Sequence, residues 1–151
     1  MSEAGPPDYT MAEWPTVRAV DGAAAVLDAL SRKFRIAVAT NAAISRRPDI
    51  VRALERVGLA GFISDIFCRA EIGAVKSDPK FWRAVTASLG AAPDELLMIG
   101  DSLEQDVRGP QQAGIAAIWF NWKLSMPPAD APPPTIYTLS DLPPLFGIDA
   151  P

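Results

Sequence analysis

The chain has 151 residues, 49% of them apolar, and a formal net charge of -4. This is one domain's worth of sequence with enough apolar content for a sizeable core, and its acidic balance excludes a dedicated nucleic-acid binder, which carries a basic patch or stripe. With no histidine and a single cysteine, Cys68, the chain has no Ser-His-Asp triad, no helix-borne His pair for zinc and no internal disulfide.

No apolar run is long enough to span a bilayer. Met1 to Thr10 lacks the apolar centre of a secretory leader. A membrane partner is therefore not expected, and a cytoplasmic location is the default expectation.

Residues 1–14 are polar and Pro-containing and read as a flexible N-terminal segment; residues 15–151 read as the folded domain. Val17 and Val20 give a weak extended signal. Ala23, Val26, Leu27 and Leu30 recur at helical spacing, which predicts an amphipathic helix over 22–32. Phe34 to Asn41 reads as a buried strand ending in two polar residues. Ser45 is placed to cap a helix that runs to Val57 and stops at Gly58.

Phe62 to Cys68 predicts a short strand. Asp78-Pro79 opens a helix, an N-cap acid followed by Pro in the first turn. That helix buries Phe81, Trp82, Val85 and Leu89 and ends at Gly90. Leu96 to Ile99 is the next strand and Leu103 to Ala113 the next helix, which Pro110 is expected to kink or shorten. Ile115 to Phe120 is a further strand, Pro127 to Pro134 a surface connection, and Thr135 to Leu139 a last edge strand. Strands alternating with helices predict an α/β fold, a Rossmann-like three-layer αβα arrangement around a mostly parallel sheet.

Ligands in such sheets bind beyond the carboxyl ends of the strands. Three of these ends carry polar groups: Thr40 with Asn41, Lys76 in the loop before a helix, and Asp101 with Asp106. A hydroxyl, an ammonium and paired carboxylates suit a phosphoryl group. Thr40 and Asn41 can hydrogen-bond its oxygens and Lys76 can neutralise its charge. Asp101 can hold Mg²⁺, with Asp106 orienting the ion or its waters. Singly each residue has a structural explanation: a strand end, a turn Asn, a solvated Lys, a helix cap, a solvent-facing acid. Their joint order points to the site.

Ile36 to Asn41, Glu71 to Phe81, and Met98-Ile99-Gly100-Asp101-Ser102 through Asp106 to Gly114 resemble the second, third and fourth motifs of the haloacid dehalogenase (HAD) superfamily. The likeness runs from Gly22 to Leu145, with Ser77 standing where the family usually has Pro. It implies a Mg²⁺-dependent phosphatase acting on a small phosphorylated molecule, with catalytic Thr40, Asn41 and Lys76 and metal-directed Asp101 and Asp106.

The family's first motif, Asp-x-Asp-x-Thr at the end of a central strand, supplies the nucleophile and is not found upstream of Thr40. Asp8 follows Pro6-Pro7, Asp28 lies in a predicted helix, and Asp21 would place Ala19 at the nucleophile position. Trp14 to Gly22 instead matches the segment that returns from the family's cap domain. The expectation is therefore an incomplete core without a cap, with weak Mg²⁺ binding and no catalysis alone. The alternative is a non-catalytic module that binds phosphate, Mg²⁺ or a protein.

Without that central strand, two inner edges lack partners. Pro15 to Val20 filling the gap, direct closure, or pairing with another chain, including a homodimer, would each satisfy them. A response-regulator receiver places its acids before its Thr and Lys, the reverse of the order here. No Gly-x-Gly-x-x-Gly follows a strand, so a dinucleotide site is not expected.

Overall fold

The structure, a computed structural model, describes residues 8–129 and 132–149. Helix α1 (Ala23–Ser31) turns the apolar stripe Ala23, Val26 and Leu30 inward. Strand β1 (Ala37–Thr40) follows, then α2 (Arg47–Arg56), β2 (Asp65–Cys68) and a single helical turn, α3 (Arg69–Ile72). Helix α4 (Pro79–Leu89) starts where the sequence predicts. Asp78 Oδ1 accepts from Lys80 N at 2.8 Å, and Gly90 closes the helix in the left-handed conformation, φ 63°.

After β3 (Leu97–Gly100) come a π-helical segment (Leu103–Arg108), α5 (Gly109–Gln112), β4 (Ala116–Phe120), β5 (Thr135–Ile136) and α6 (Leu142–Leu145). Pro110 does not end the helix. The backbone ahead of it widens to π geometry, with Gly109 N bonding back to Glu104 O, and Pro110 then sits in the first turn of α5. Such widened turns absorb a missing donor without breaking the helix.

All strand pairs are parallel. β1 pairs with β2 (Thr40 opposite Cys68), β3 with β4 (Gly100 opposite Trp119) and β4 with β5 (Phe120 opposite Ile136). Helices cover both faces, as strands apolar on both sides require. On one face Val26 and Leu30 of α1 pack with Ile118, Phe120 and Leu142, against which Ile36 and Ile99 lie. On the other, Phe81, Trp82 and Val85 of α4 pack with Phe67 and Ile115, against which Ala39 and Met98 lie. The three-layer α/β reading is what the structure shows.

The strands nevertheless form two sheets, β1–β2 and β3–β4–β5, and the inner edges of β1 and β3 are not hydrogen-bonded to each other. Pro15 to Val20 does not fill the space. Those residues form no strand; Val17 packs with Val38 and Ile50 on the α2 face, and Val20 with the α1 cluster. Neither internal way of satisfying the edges is realised.

Of the segment expected to be flexible, residues 1–7 lie outside the described residues. Among residues 8–14, Met11 is buried and its N–H donates to Ser45 Oγ at 2.8 Å. Ser45 therefore anchors this segment rather than capping α2, where Asp49 Oδ2 accepts from Arg46 N at 3.0 Å instead. Arg56 holds the carbonyls of Trp14 and Pro15 at 2.6 and 3.2 Å. No helix among the described residues is long and apolar enough to cross a membrane.

Candidate functional site

The carboxyl ends of β1 and β3 meet the loop that precedes α4. Gly100 ends β3 because nothing larger fits. A Cβ there would lie 2.4 Å from Asp106 Cγ, so the Asp106 carboxylate folds directly beneath the strand end. Its Oδ2 accepts from Ser102 N at 3.0 Å, and its Oδ1 is met by the Lys76 ammonium and by no other donor among the described residues. Ser102 in turn caps the π segment, its Oγ accepting from Gln105 N.

Lys76 is not a solvated loop charge. Its residue is 9% exposed and its backbone is held on three sides. Lys76 N donates to Asn41 Oδ1 at 2.8 Å, and Lys76 O accepts from Trp82 Nε1 at 2.6 Å. Gly109 lets the next helix close on it, since a Cβ there would lie 2.3 Å from Lys76 O. A buried Lys in this position is stable because Asp106 neutralises it. An ammonium has three donors, so the contact with Asp106 leaves others for a ligand.

Asn41 spends both ends of its amide on the scaffold, Oδ1 on Lys76 N and Nδ2 on Gln105 Oε1 at 2.9 Å. Gln105 Oε1 also accepts from Ser77 N at 3.0 Å. The clamp of Asn41, Gln105 and Ser77 thus ties the end of β1 to the helix after β3 and to the Lys76 loop. Asn41 acts through Lys76 by fixing its backbone. Thr40 is half-buried and its Oγ1 accepts from Ala42 N at 3.2 Å, which leaves the hydroxyl proton free to donate outward.

Asp101 is gripped by two tryptophans. Trp119 Nε1 donates to its carbonyl at 3.0 Å and Trp122 Nε1 to its Oδ2 at 3.2 Å. A divalent cation would find this one available carboxylate at the strand ends, because Asp106 is committed to Lys76 and Ser102. No group of three Asp, Glu, His or Cys side chains converges among the described residues. The residues present do not by themselves complete a Mg²⁺ site. Cys68, at the end of β2, is fully buried and burial pushes its thiol pKa up, which makes it a packing residue and not a nucleophile.

The structure brings Thr40, Asn41, Lys76, Asp101 and Asp106 to one end of the strands. The sequence reading missed Gln105, the two packing glycines Gly100 and Gly109, and Trp122. Gln105 stands next to Asp106 in the motif, but nothing in its spacing reveals that it faces Asn41, 64 positions away.

The haloacid dehalogenase-like hydrolase family model matches residues 5–114. Phosphoserine phosphatase of Thermus thermophilus is 35% identical over 107 residues, 70% of this chain and 41% of that protein. Phosphoglycolate phosphatase of Rhodospirillum rubrum is 37% identical over 110 residues, 71% of this chain and 43% of that protein. The chain thus spans less than half the length of these relatives. Among solved structures, the putative HAD-hydrolase YfnB of Bacillus subtilis, bound to magnesium, superposes with a TM-score of 0.75 at 27% identity, covering 85% of this chain and 55% of that one. The motif order, the parallel αβα core and the family match together place the chain in the haloacid dehalogenase-like hydrolase family.

Proposed function

We propose that this domain carries the phosphoryl-recognising part of a Mg²⁺-dependent phosphomonoester hydrolase, and that residues 1–151 do not turn over phosphomonoesters alone. The observation that supports this most is the buried Lys76 ammonium, held by Asp106 and the Asn41 clamp beside the Thr40 hydroxyl. Such an arrangement offers preorganised positive charge and a hydroxyl donor to phosphoryl oxygens. Phosphatases among the relatives support a small phosphomonoester as the ligand.

Catalysis needs a nucleophile as well. Thr40 and Lys76 bind and polarise, and Asp101 is the metal-directed carboxylate of the resemblance. None occupies the position of an Asp on a strand between β1 and β3. The test is hydrolysis of para-nitrophenyl phosphate in Mg²⁺ beside binding of inorganic phosphate followed by phosphorus NMR. Phosphate line broadening that is lost in Thr40→Val, without turnover, is the expected result. Turnover abolished by Asp101→Asn would overturn the claim of inactivity, and absence of phosphate binding would overturn the phosphoryl reading.

A further inference from the structure

The loop that leaves β4 is held in one shape by Asn121. This residue is 4% exposed, and both ends of its amide engage Ser125: Nδ2 donates to Ser125 O and Oδ1 accepts from Ser125 N, each at 2.8 Å. Asn121 N donates to Ile136 O at 2.8 Å, which ties the loop to β5, and Asn121 O accepts from Leu124 N at 3.1 Å. Leu124 is thereby held at φ 53°, and among the described residues it is the only non-glycine residue with positive φ. A side-chain-bearing residue persists in that region when its surroundings over-determine it, as they do at binding and catalytic sites.

This loop and the end of β5 enclose a groove of about 520 Å³, the size of a site for a small organic molecule. Leu124, Met126, Pro127 and Tyr137 give it apolar walls. With the Asn121 amide engaged, the hydroxyls of Ser125 and Tyr137 are the side-chain polar groups that remain in the lining. No charged side chain lines the groove among the described residues. Lys123 Nζ rests over the Trp122 ring instead, 5.0 Å from its centroid. Leu124, Met126 and Tyr137 are all exposed, a grouping of large apolar side chains that core packing does not explain.

The groove adjoins the proposed phosphoryl site. Trp122, one residue past Asn121, donates from Nε1 to Asp101 Oδ2 at 3.2 Å and so fastens the loop to the end of β3. Gly100 stands opposite Trp119 and Phe120 opposite Ile136. Asn121 therefore follows the strand next to that of Asp101, and Tyr137 follows the strand beyond it. Neighbouring strands are about 5 Å apart, so the groove begins about 5 Å from Asp101 along the strand ends and reaches to about 10 Å.

From these observations we infer that the groove is the subsite for the organic part of the phosphomonoester, and that it selects esters of an extended, uncharged aromatic alcohol. The subsite rests on the phosphoryl reading of Thr40 and Lys76. Continuity with Asp101 makes its occupant the remainder of a molecule whose phosphoryl group sits at the strand ends. The walls set the chemistry of that remainder. Tyr137 offers a ring for offset stacking and Met126 a thioether for contact with an aromatic edge. The absence of a charged side chain from the lining disfavours a charged group, which would lose water without gaining a partner. The two hydroxyls suit one polar substituent and no more.

The experiment is titration of the 151-residue protein with methyl phosphate and with 4-phenylphenyl phosphate, each followed by phosphorus NMR. The aryl ester should bind about tenfold tighter, from the apolar area it buries. The double variant Met126→Ser with Tyr137→Ser should bring the ratio of the two affinities to about one; both side chains are exposed, so the fold does not depend on them. Leu145→Ser, an exposed apolar residue of α6 outside the groove, should leave the ratio at about ten. Equal binding of the two esters to the unaltered protein would overturn the subsite and leave the phosphoryl reading standing. A preference that survives the double variant would overturn it too. 4-Phenylphenol binding as tightly as its phosphate would show a groove that takes apolar molecules apart from the phosphoryl site, and aryl-ester affinity that falls as protein concentration rises would assign the groove to a second copy; either result overturns the proposal. Binding of neither ester would overturn the phosphoryl reading itself, and the subsite with it.

Discussion

Asp106 reaches the Lys76 ammonium from beneath Gly100, and the two charged side chains are buried together, 4% and 11% exposed. This pair joins the helix after β3 to the loop before α4 at the point where both sheets end. Removing one partner of such a pair leaves an uncompensated charge, which costs more than the pair contributes. Lys76→Met is expected to destabilise the protein by about 3–5 kcal/mol. The double variant with Asp106→Leu should recover more than half of that loss, because both charges are gone. Urea unfolding of the single and double variants checks this, and a double variant no better than the worse single would contradict it.

The two packing glycines make a sharper steric prediction. A Cβ at Gly109 meets backbone, Lys76 O at 2.3 Å and Ser77 Cα at 2.9 Å, so the Lys76 loop must move. Gly109→Ala should therefore cost about 1–3 kcal/mol and weaken phosphate binding as well. Gly61→Ala is the control, since nothing lies within 4 Å of that position and its φ is not left-handed. Equal melting temperatures for the two variants would count against this account.

Much of this was legible in the sequence because it rests on local signals. Asp78-Pro79 and Gly90 bracket α4 where read, and the polar strand ends Thr40, Lys76 and Asp101 do converge. Long-range pairings were not legible. Ser45 looks like a helix cap and instead holds Met11 N, 34 positions away. Gln105 carries no signal of its own in the sequence, yet it clamps Asn41 and Ser77. Pro110 is expected to kink or shorten its helix, but the π turn by which the backbone absorbs the missing donor has no signal in the sequence. Each miss depends on a neighbour that composition and periodicity do not reveal.

Two carboxylates held below their ordinary value by hydrogen bonds give the fold part of its acid dependence. Asp65 at the start of β2 is held below the ordinary value of 3.8 chiefly by its hydrogen bond from Arg35. Asp141 is held below it by the backbone N–H groups of Thr138 and Tyr137. Both bind protons more weakly folded than unfolded. Their stabilisation is therefore complete above the ordinary carboxylate value and is lost as pH falls below 3.8 through the depressed folded values. Arg35 is 58% exposed, so its contribution is small and falls with salt. Asp141→Asn should flatten the stability profile in this acid window and leave it unchanged in shape near neutrality, as followed by circular dichroism.

Trp122 provides an optical handle on Asp101. Its indole is partly exposed, and its Nε1–H donates to Asp101 Oδ2 at 3.2 Å. A cation drawn to Asp101 competes for that oxygen and changes the surroundings of the ring. The Trp122 share of the fluorescence is assigned by difference from Trp122→Phe. Mg²⁺ ordinarily keeps several waters and takes one or two carboxylates plus substrate phosphate oxygens. Asp101 alone gives it one, with the Lys76 ammonium near the same strand ends. Half-saturation by Mg²⁺ is therefore expected in the millimolar range, and the change should vanish in Asp101→Asn. Inorganic phosphate should tighten it, because phosphate brings the oxygen ligands that the chain lacks. Micromolar Mg²⁺ binding without phosphate would mean that a further carboxylate turns toward Asp101, and Asp106 could supply it only by leaving Lys76. Binding to the native state raises the melting temperature in either arrangement, so the two are separated by Asp106→Asn, which should abolish micromolar binding and leave binding through Asp101 alone in the millimolar range.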